Sequence, residues 1–266
     1  MNRLPTLFIS HGSPMLAIED SPARRFLQQL GKTLPRPKAI LVASAHWETM
    51  GGPIVSLAKA PGTIHDFGGF PPALYDISYP APGASEVAGQ AAGLLEQAGF
   101  AVGRSITRGL DHGAWVPLRL MYPDADVPVA QVSILRNATP QRHEQLGAAL
   151  ASLRDDGVLV IGSGSLTHNL YEFRGQGIDA PVPDWVSAFG DWMMTAVREN
   201  RRDALLDYRR QAPFAERNHP TEEHLLPLFV AMGAAGVGAA GAGAQAERIH
   251  ASYEYGVLAM DVYSFG

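Results

Sequence analysis

Apolar residues along this chain gather into short unbroken runs, separated by longer stretches in which they recur every third or fourth position. The runs are 4–9 (LPTLFI), 39–43 (AILVA), 129–135 (VAQVSIL) and 158–161 (VLVI), mostly bulky or branched and bounded by Pro, Gly or Ser. Short runs without polar alternation predict strands covered on both faces, as in a parallel sheet between helices. Helical spacing occupies 21–30, 85–98, 141–153, 185–198 and 221–232. In the last of these, Pro220 stands where a first-turn proline belongs. The helix is therefore expected to start at Thr221 and turn Leu225, Leu226, Leu228 and Phe229 to the core. The alternation predicts an α/β fold: a single domain over 1–266 whose central, largely parallel or mixed sheet lies between helix layers.

Two stretches break the alternation. Residues 61–83 (PGTIHDFGGFPPALYDISYPAPG) mix Pro, Gly and aromatics over a length no ordinary connection needs, which predicts a lid or binding loop. Residues 233–244 (GAAGVGAAGAGA) are low-complexity Gly/Ala and are expected to form a flexible surface turn before the last strands.

The candidate chemistry lies in the histidines. The chain has no cysteine, so disulfides and thiolate ligands are excluded and any metal must be held by imidazole, carboxylate or carbonyl. His11 follows the first apolar run (ISHGSP), His46 the second (ASAHWE) and His168 the last (GSGSLTHN). Ligands of open α/β sheets bind beyond the carboxyl ends of parallel strands. One histidine after a strand is usually a cap or loop residue, but three in equivalent positions point to one shared rim. The segment 218–224 (NHPTEEH) adds His219 and His224, either of which could reach a metal. His112 stands in GLDHG ahead of the helical stretch 115–121, with Asp111 either capping that helix or tuning its neighbour. His65 lies in the expected lid, a candidate for ligand contact. His143 reads as a solvated residue on a polar helix face, and His250 as structural. The run Gly162–Ser163–Gly164–Ser165 does not match G-x-S-x-G and lacks a P-loop lysine; there is no H-E-x-x-H either.

Composition narrows the partners. A net charge of −5 from 21 basic and 26 acidic residues, with no basic run, argues against nucleic acid or an anionic membrane. At 46% hydrophobic and 18% charged, the chain can bury a substantial core, which excludes a disordered class. No stretch approaches the ~20 apolar residues that span a bilayer, and Met1–Ser10 lacks the apolar core and cleavage site of a signal peptide. A cytoplasmic location is expected.

With these residues in view, the sequence resembles the LigB-type extradiol ring-cleavage dioxygenases, in the branch that contains DOPA 4,5-dioxygenases of bacteria and plants. Six blocks carry the likeness in family order: LFISHGSP, SAHWE, HDFGGFPPALYDISYPAPG, LDHGAWVPL, GSGSLTHNL and HPTEEHLLPLFVAMGAAG. The resemblance implies an oxidoreductase that opens a small-molecule catechol, such as DOPA or a related o-diphenol, with O2 at a non-haem divalent metal. It implies His11 and His46 as metal ligands, with His224 as the third and His219 as the alternative. It implies acid/base roles for His168 and His112, His168 being counted with the ligands in some descriptions. The lid residues His65, Phe67, Phe70 and Tyr75, together with His219, are then candidates for substrate contact. Three neutral imidazoles depart from the two-His-one-carboxylate set of many Fe(II) oxygenases and equally suit zinc; Fe(II) is expected for activity, with Zn(II) a possible occupant. A zinc-dependent hydrolase, or a non-enzymatic metal-binding relative on the same fold, is the alternative.

Overall fold

The computed structural model describes residues 3–237 and 245–266. Its strands are β1 (Thr6–Ser10), β2 (Ala39–Thr49), β3 (Ile54–Ser56), β4 (Gly103–Ser105), β5 (Val129–Leu135), β6 (Val158–Gly164), β7 (Ala246–His250) and β10 (Val262–Phe265); β8 (Tyr253–Glu254) and β9 (Leu258–Ala259) make a separate antiparallel pair. The main sheet runs β4-β3-β5-β2-β6-β1-β10-β7. The four apolar runs are its four central strands, β5, β2, β6 and β1, all parallel. The edges are mixed: β10 is antiparallel to β1 and to β7, and β3 is antiparallel to β5. All four central strands therefore present their carboxyl ends along one side of the molecule.

Alternation along each central strand builds the two layers. Leu41 and Ala43 of β2 and Phe8 of β1 face one core, which is completed by α3 (Ser85–Gln97), α5 (Pro140–Ala149), most of α6 (Asp184–Arg198) and α10 (Leu226–Ala235). Ile40, Val42, Leu7, Ile9 and Ile161 face the other, closed by α1 (Pro22–Thr33) and α4 (His112–Met121). Side chains of successive strand residues point to opposite faces, so a continuous apolar run is what burial on both sides requires. Three short helices, α7 (Arg202–Leu206), α8 (Tyr208–Gln211) and α9 (Ala215–Asn218), lead from α6 toward the HPTEEH segment. The long 61–83 loop holds one short helix, α2 (Pro72–Tyr75). Among the described residues, no helix is long and apolar enough to cross a membrane.

Three expectations change. The helix expected from Thr221 begins at Leu226, with Pro227 rather than Pro220 in its first turn. Residues 221–225 instead form turns, because the carbonyl of His224 accepts from Ser165 N–H (2.8 Å) and docks the segment on the end of β6. That docking needs a glycine at 164: a Cβ there would stand 2.0 Å from the His224 carbonyl oxygen. The Gly/Ala stretch splits, with 233–235 closing α10 and Gly236 capping it at φ 78°; residues 238–244 lie outside the described residues.

His143 is the third correction. It is buried, not solvated. Its Nε2 accepts from Leu135 N–H (3.0 Å), so Nδ1 carries the proton and donates to the Thr139 carbonyl (2.9 Å). The polar neighbours in QRHEQ hid the fact that this imidazole closes the end of β5. Burial lowers its pKa to about 4. Between pH 6.5 and 4 the unfolded chain therefore takes up a proton that the folded chain refuses, and stability falls as pH drops through that window. His143→Gln, which keeps an acceptor for Leu135, should show a shallower loss of urea-unfolding free energy from pH 7 to 4.5 than the parent. Parallel pH dependences would mean that His143 does not titrate in this way.

Candidate metal centre

At the carboxyl ends of β1, β2 and β6 three imidazoles meet. His11 directly follows β1, and its backbone N–H still bonds to Gly164 O of β6 (2.8 Å). His46 lies inside β2, at a wide bulge: pairing with β5 jumps from Ser44–Ser133 to Glu48–Ile134, leaving Ala45, His46 and Trp47 unmatched. A bulge of this kind re-aims a side chain out of the ladder. His224 arrives on the turn docked against Gly164. The three Nε2 atoms converge, His11 to His46 at 3.0 Å and His46 to His224 at 3.3 Å.

The opposite ring nitrogens decide what these contacts are. Ser163 Oγ donates its one proton to Gly113 O (2.5 Å), so it can only accept from His11 Nδ1 (3.0 Å). His224 Nδ1 lies 3.0 Å from Glu223 Oε1, and His46 Nδ1 lies 3.3 Å from Asp66 Oδ2; a carboxylate only accepts. Each ring thus carries its proton on Nδ1 and turns an unprotonated Nε2 inward. Burial, followed by repulsion from the other imidazoles, holds the pKa of His11 and His224 well below the usual value. Burial also brings His46 to about 4. All three are neutral at pH 7, and three lone pairs face one another with no proton between them. A divalent cation fits that arrangement: nitrogens bound at ~2.0–2.1 Å to one ion lie roughly 3.0–3.4 Å apart.

Behind the rings stands Asp111, fully buried and fully satisfied. It accepts from Ser44 Oγ (2.6 Å), Gln131 Nε2 (2.8 Å), Arg108 Nη2 (2.8 Å) and, as the cap of α4, from Ala114 N–H (3.2 Å). Ser44 in turn accepts from His46 N–H (3.2 Å), so this one carboxylate ties the β2 bulge to the start of α4.

His112 opens α4, and its N–H donates to Asp66 Oδ1 (2.9 Å), with its Nδ1 3.1 Å from Oδ2. Burial alone would raise the Asp66 pKa, but hydrogen bonding and charge from His112 outweigh it and bring it to about 2. His168 stacks face to face on His224, centroids 3.4 Å apart. Its pKa falls to about 4, burial outweighing the nearby Glu223 charge. His46, His112, His168 and His224 line one cavity of about 580 Å3, whose other walls include Phe67, Phe70, Leu170 and Phe173.

Not every expected residue arrives there. Of the two histidines in HPTEEH, His219 is the one turned away: it is buried behind the site, its Nε2 2.8 Å from the Leu166 carbonyl, and it does not line the cavity. His65 bonds to the Ile77 carbonyl (3.0 Å) and packs on Phe67 and Trp115. Tyr75 rests on the outer side of Phe67, centroids 5.3 Å apart. Both brace the loop rather than line the cavity, since Phe67 lies between them and the imidazoles. Sequence reasoning passed over Asp66, Glu223 and Gly113, the first two standing beside candidate histidines in HDF and EEH, while Ser163 entered only within a run that matched no nucleophile or phosphate motif.

Comparison with known proteins places these residues in a wider set. Residues 5–262 match the family described as the catalytic LigB subunit of aromatic ring-opening dioxygenase. A Beta vulgaris protein named 4,5-DOPA dioxygenase extradiol is 46% identical over 98% of this chain and 96% of its own. An Escherichia coli K12 protein of the same name is 42% identical over 87% and 85%. A crystal structure of an uncharacterized E. coli K12 protein superposes with a TM-score of 0.80 at 33% identity, covering 99% of this chain and all of that one.

Gly113 offers a test of the packing that sets the three rings. A Cβ there would lie 2.5 Å from Ser44 Oγ and 3.1 Å from carbons of both His11 and His46. Gly113→Ala should cost about 1–3 kcal/mol of stability through overpacking and roughly 10–100-fold in metal affinity, the range for disturbed ligand support. Unfolding curves and chelator competition measure the two. Unchanged affinity would show that the clash is absorbed without moving the imidazoles.

Proposed function

The chain belongs to the family of catalytic LigB subunits of aromatic ring-opening dioxygenases, metal-dependent enzymes of extradiol ring cleavage, and from that premise we propose that His11, His46 and His224 hold a ferrous ion beside which a catechol of the DOPA type is opened by O2. The observation that carries the reading is the convergence of three neutral imidazoles on their Nε2 atoms, with an oxygen acceptor within 3.3 Å of each Nδ1. Iron(II), when bound, supplies the redox capacity to engage O2 and acidifies catechol hydroxyls, whereas zinc supplies only the second.

The protein's own groups then handle protons and position. His168, neutral at pH 7 and on the cavity wall, has a free ring nitrogen to take a proton from the incoming catechol and return it as the ring opens. Its stacking on His224 fixes that ring beside a metal ligand. His112, held by Asp66 on one side, faces the substrate oxygens from the start of α4 and hydrogen-bonds them. Phe67 and Phe70 cover the ring and keep water from the reacting face. O2 and a small-molecule catechol are the partners this arrangement requires, and a cytoplasmic location agrees with the reading.

Apoprotein loaded anaerobically with Fe(II), then given air and a panel of L-DOPA, catechol and protocatechuate, should consume one O2 per ring opened. The visible absorbance of a ring-opened semialdehyde should develop alongside. The zinc-loaded protein should be silent, and an iron form inactive on every catechol would overturn the proposal. His168→Ala should retain its metal and lose roughly 10²–10⁴ in turnover, the usual range for a general acid/base; loss of metal in that variant would make His168 a ligand. His224→Ala should lose metal where His219→Gln keeps it, as read by metal analysis.

A further inference from the structure

A second cleft, of about 790 Å3, opens between α1 and the end of α4 and shares no residue with the cavity before the imidazoles. Its wall carries Arg24, Lys32, Arg36 and Arg119 against Asp124 and Asp126, and Arg36 is spent on Asp126. Among the described residues, Arg24, Lys32 and Arg119 form no ion pair. In a chain of net charge −5, three such cations against the single remaining carboxylate of Asp124 make a local excess that composition does not explain. We propose that this cleft binds the phosphate group of a small organic molecule.

Two of the cations come from different helices and meet at one point. Arg24 Nη1 donates to Leu16 O (3.1 Å) and Arg119 Nη1 to Ala17 O (3.4 Å), the last carbonyls of the short 3-10 helix Pro14–Ala17. Among the described residues, each guanidinium keeps its remaining donors unbonded. Charges so placed repel: burial, then the Arg119 charge, lowers the Arg24 pKa, with Asp20 pulling the other way. Asp20 itself bonds to Arg25 (2.6 Å). An oxyanion between the two guanidiniums relieves the repulsion and engages both in the bidentate geometry by which arginine holds phosphate. On the same wall Tyr122 is buried, and its hydroxyl has no hydrogen-bond partner. A buried donor left in that state is rare, and a ligand oxygen is the acceptor it lacks. A bare phosphate fills little of the cleft, while Leu34, Leu120, Met121 and Pro123 offer apolar surface to whatever the phosphate is carried on. The 3-10 helix that the arginines grip also carries Met15 on the wall of the catechol cavity, so the two sites share one short element.

The test needs no turnover. Zinc-loaded protein is titrated calorimetrically with inorganic phosphate, ribose 5-phosphate and AMP at about 0.15 M ionic strength, where weak surface attraction is screened. At least one of the organic phosphates should bind roughly tenfold or more tightly than inorganic phosphate. Arg24→Gln and Arg119→Gln should each weaken that binding by roughly tenfold or more, as a lost charge-assisted pair requires. Lys32→Gln, on the exposed rim and unable to disturb the fold, should weaken it by roughly threefold, the size of an exposed charge, and decides the matter if either arginine variant misfolds. Arg25→Gln, whose partner is Asp20, should leave it unchanged. Binding that survives the Arg24, Arg119 and Lys32 variants would place the anion at the metal or elsewhere and overturn the site, as would no binding of either organic phosphate. Inorganic phosphate matching both organic compounds would make free phosphate the occupant and overturn the organic ligand.

Discussion

Three imidazole lone pairs held about 3 Å apart repel one another unless something positive lies between them, and much of the surrounding structure serves to hold them there. Each ring is fixed through its other nitrogen: His11 by the Ser163 hydroxyl, His46 by Asp66, His224 by Glu223. Ser163 can play that part because its proton is drawn off by Gly113 O, which itself depends on α4 packing close enough to touch β6. The hydrogen bonds that choose the tautomer and the packing of the two layers are therefore one constraint. Loosening α4 would free the His11 ring as surely as removing Ser163.

The parallel sheet explains why the three come from such distant positions. β1, β2 and β6 end on one side, so residues separated by 35 and 178 positions in the chain meet without any long excursion. Two departures from regularity finish the job. The β2 bulge turns His46 out of the ladder, and Gly164 lets the His224 turn settle on the end of β6. Asp111 binds the first of these to α4 with four hydrogen bonds. A buried carboxylate is costly alone and stable when its acceptors are all used.

How much of this could be read from the sequence follows the same physics. The central strands were legible because strands buried on both faces must be unbroken apolar runs, and the positions of His11 and His168 after two of them followed directly. His46 was placed beyond its strand and lies within it: bulges leave no compositional mark, and the polar residues after Ala43 concealed the strand's continuation. His143 was read as solvated, and His219 stood as the alternative to His224, for one reason. Their chain neighbours are polar, while their burial is set by backbone groups far away or around a turn, Leu135 N–H in one case and the Leu166 carbonyl in the other. Asp66 was hidden in a loop whose aromatics drew the attention. A proline misled at 220, since a helix that could begin there is displaced by the stronger need of the His224 carbonyl to pair with Ser165.

Charge balance gives the donor set its logic. In the proposed centre, three neutral imidazoles would leave a divalent cation with its full charge in a buried site, where a carboxylate ligand would offset one unit. Asp66 and Glu223 supply two negative charges just behind the rings, 3.3 Å from His46 Nδ1 and 3.0 Å from His224 Nδ1. Both carboxylates lie partly in reach of solvent, at 24% and 22% side-chain exposure, so they neutralise the centre without themselves being stripped of water. The three inward Nε2 atoms would thus hold the proposed metal without an anionic oxygen among them. The arrangement also places negative charge where it polarises the Nδ1–H bonds and strengthens the Nε2 donors. On the cavity side no such charge is offered apart from Asp66. The electrostatic work is thus gathered behind the imidazoles, and the space in front is left to shape and apolar contact. A site divided in this way can discriminate among catechols only by what they carry away from the ring, because every catechol presents the same two oxygens to the centre.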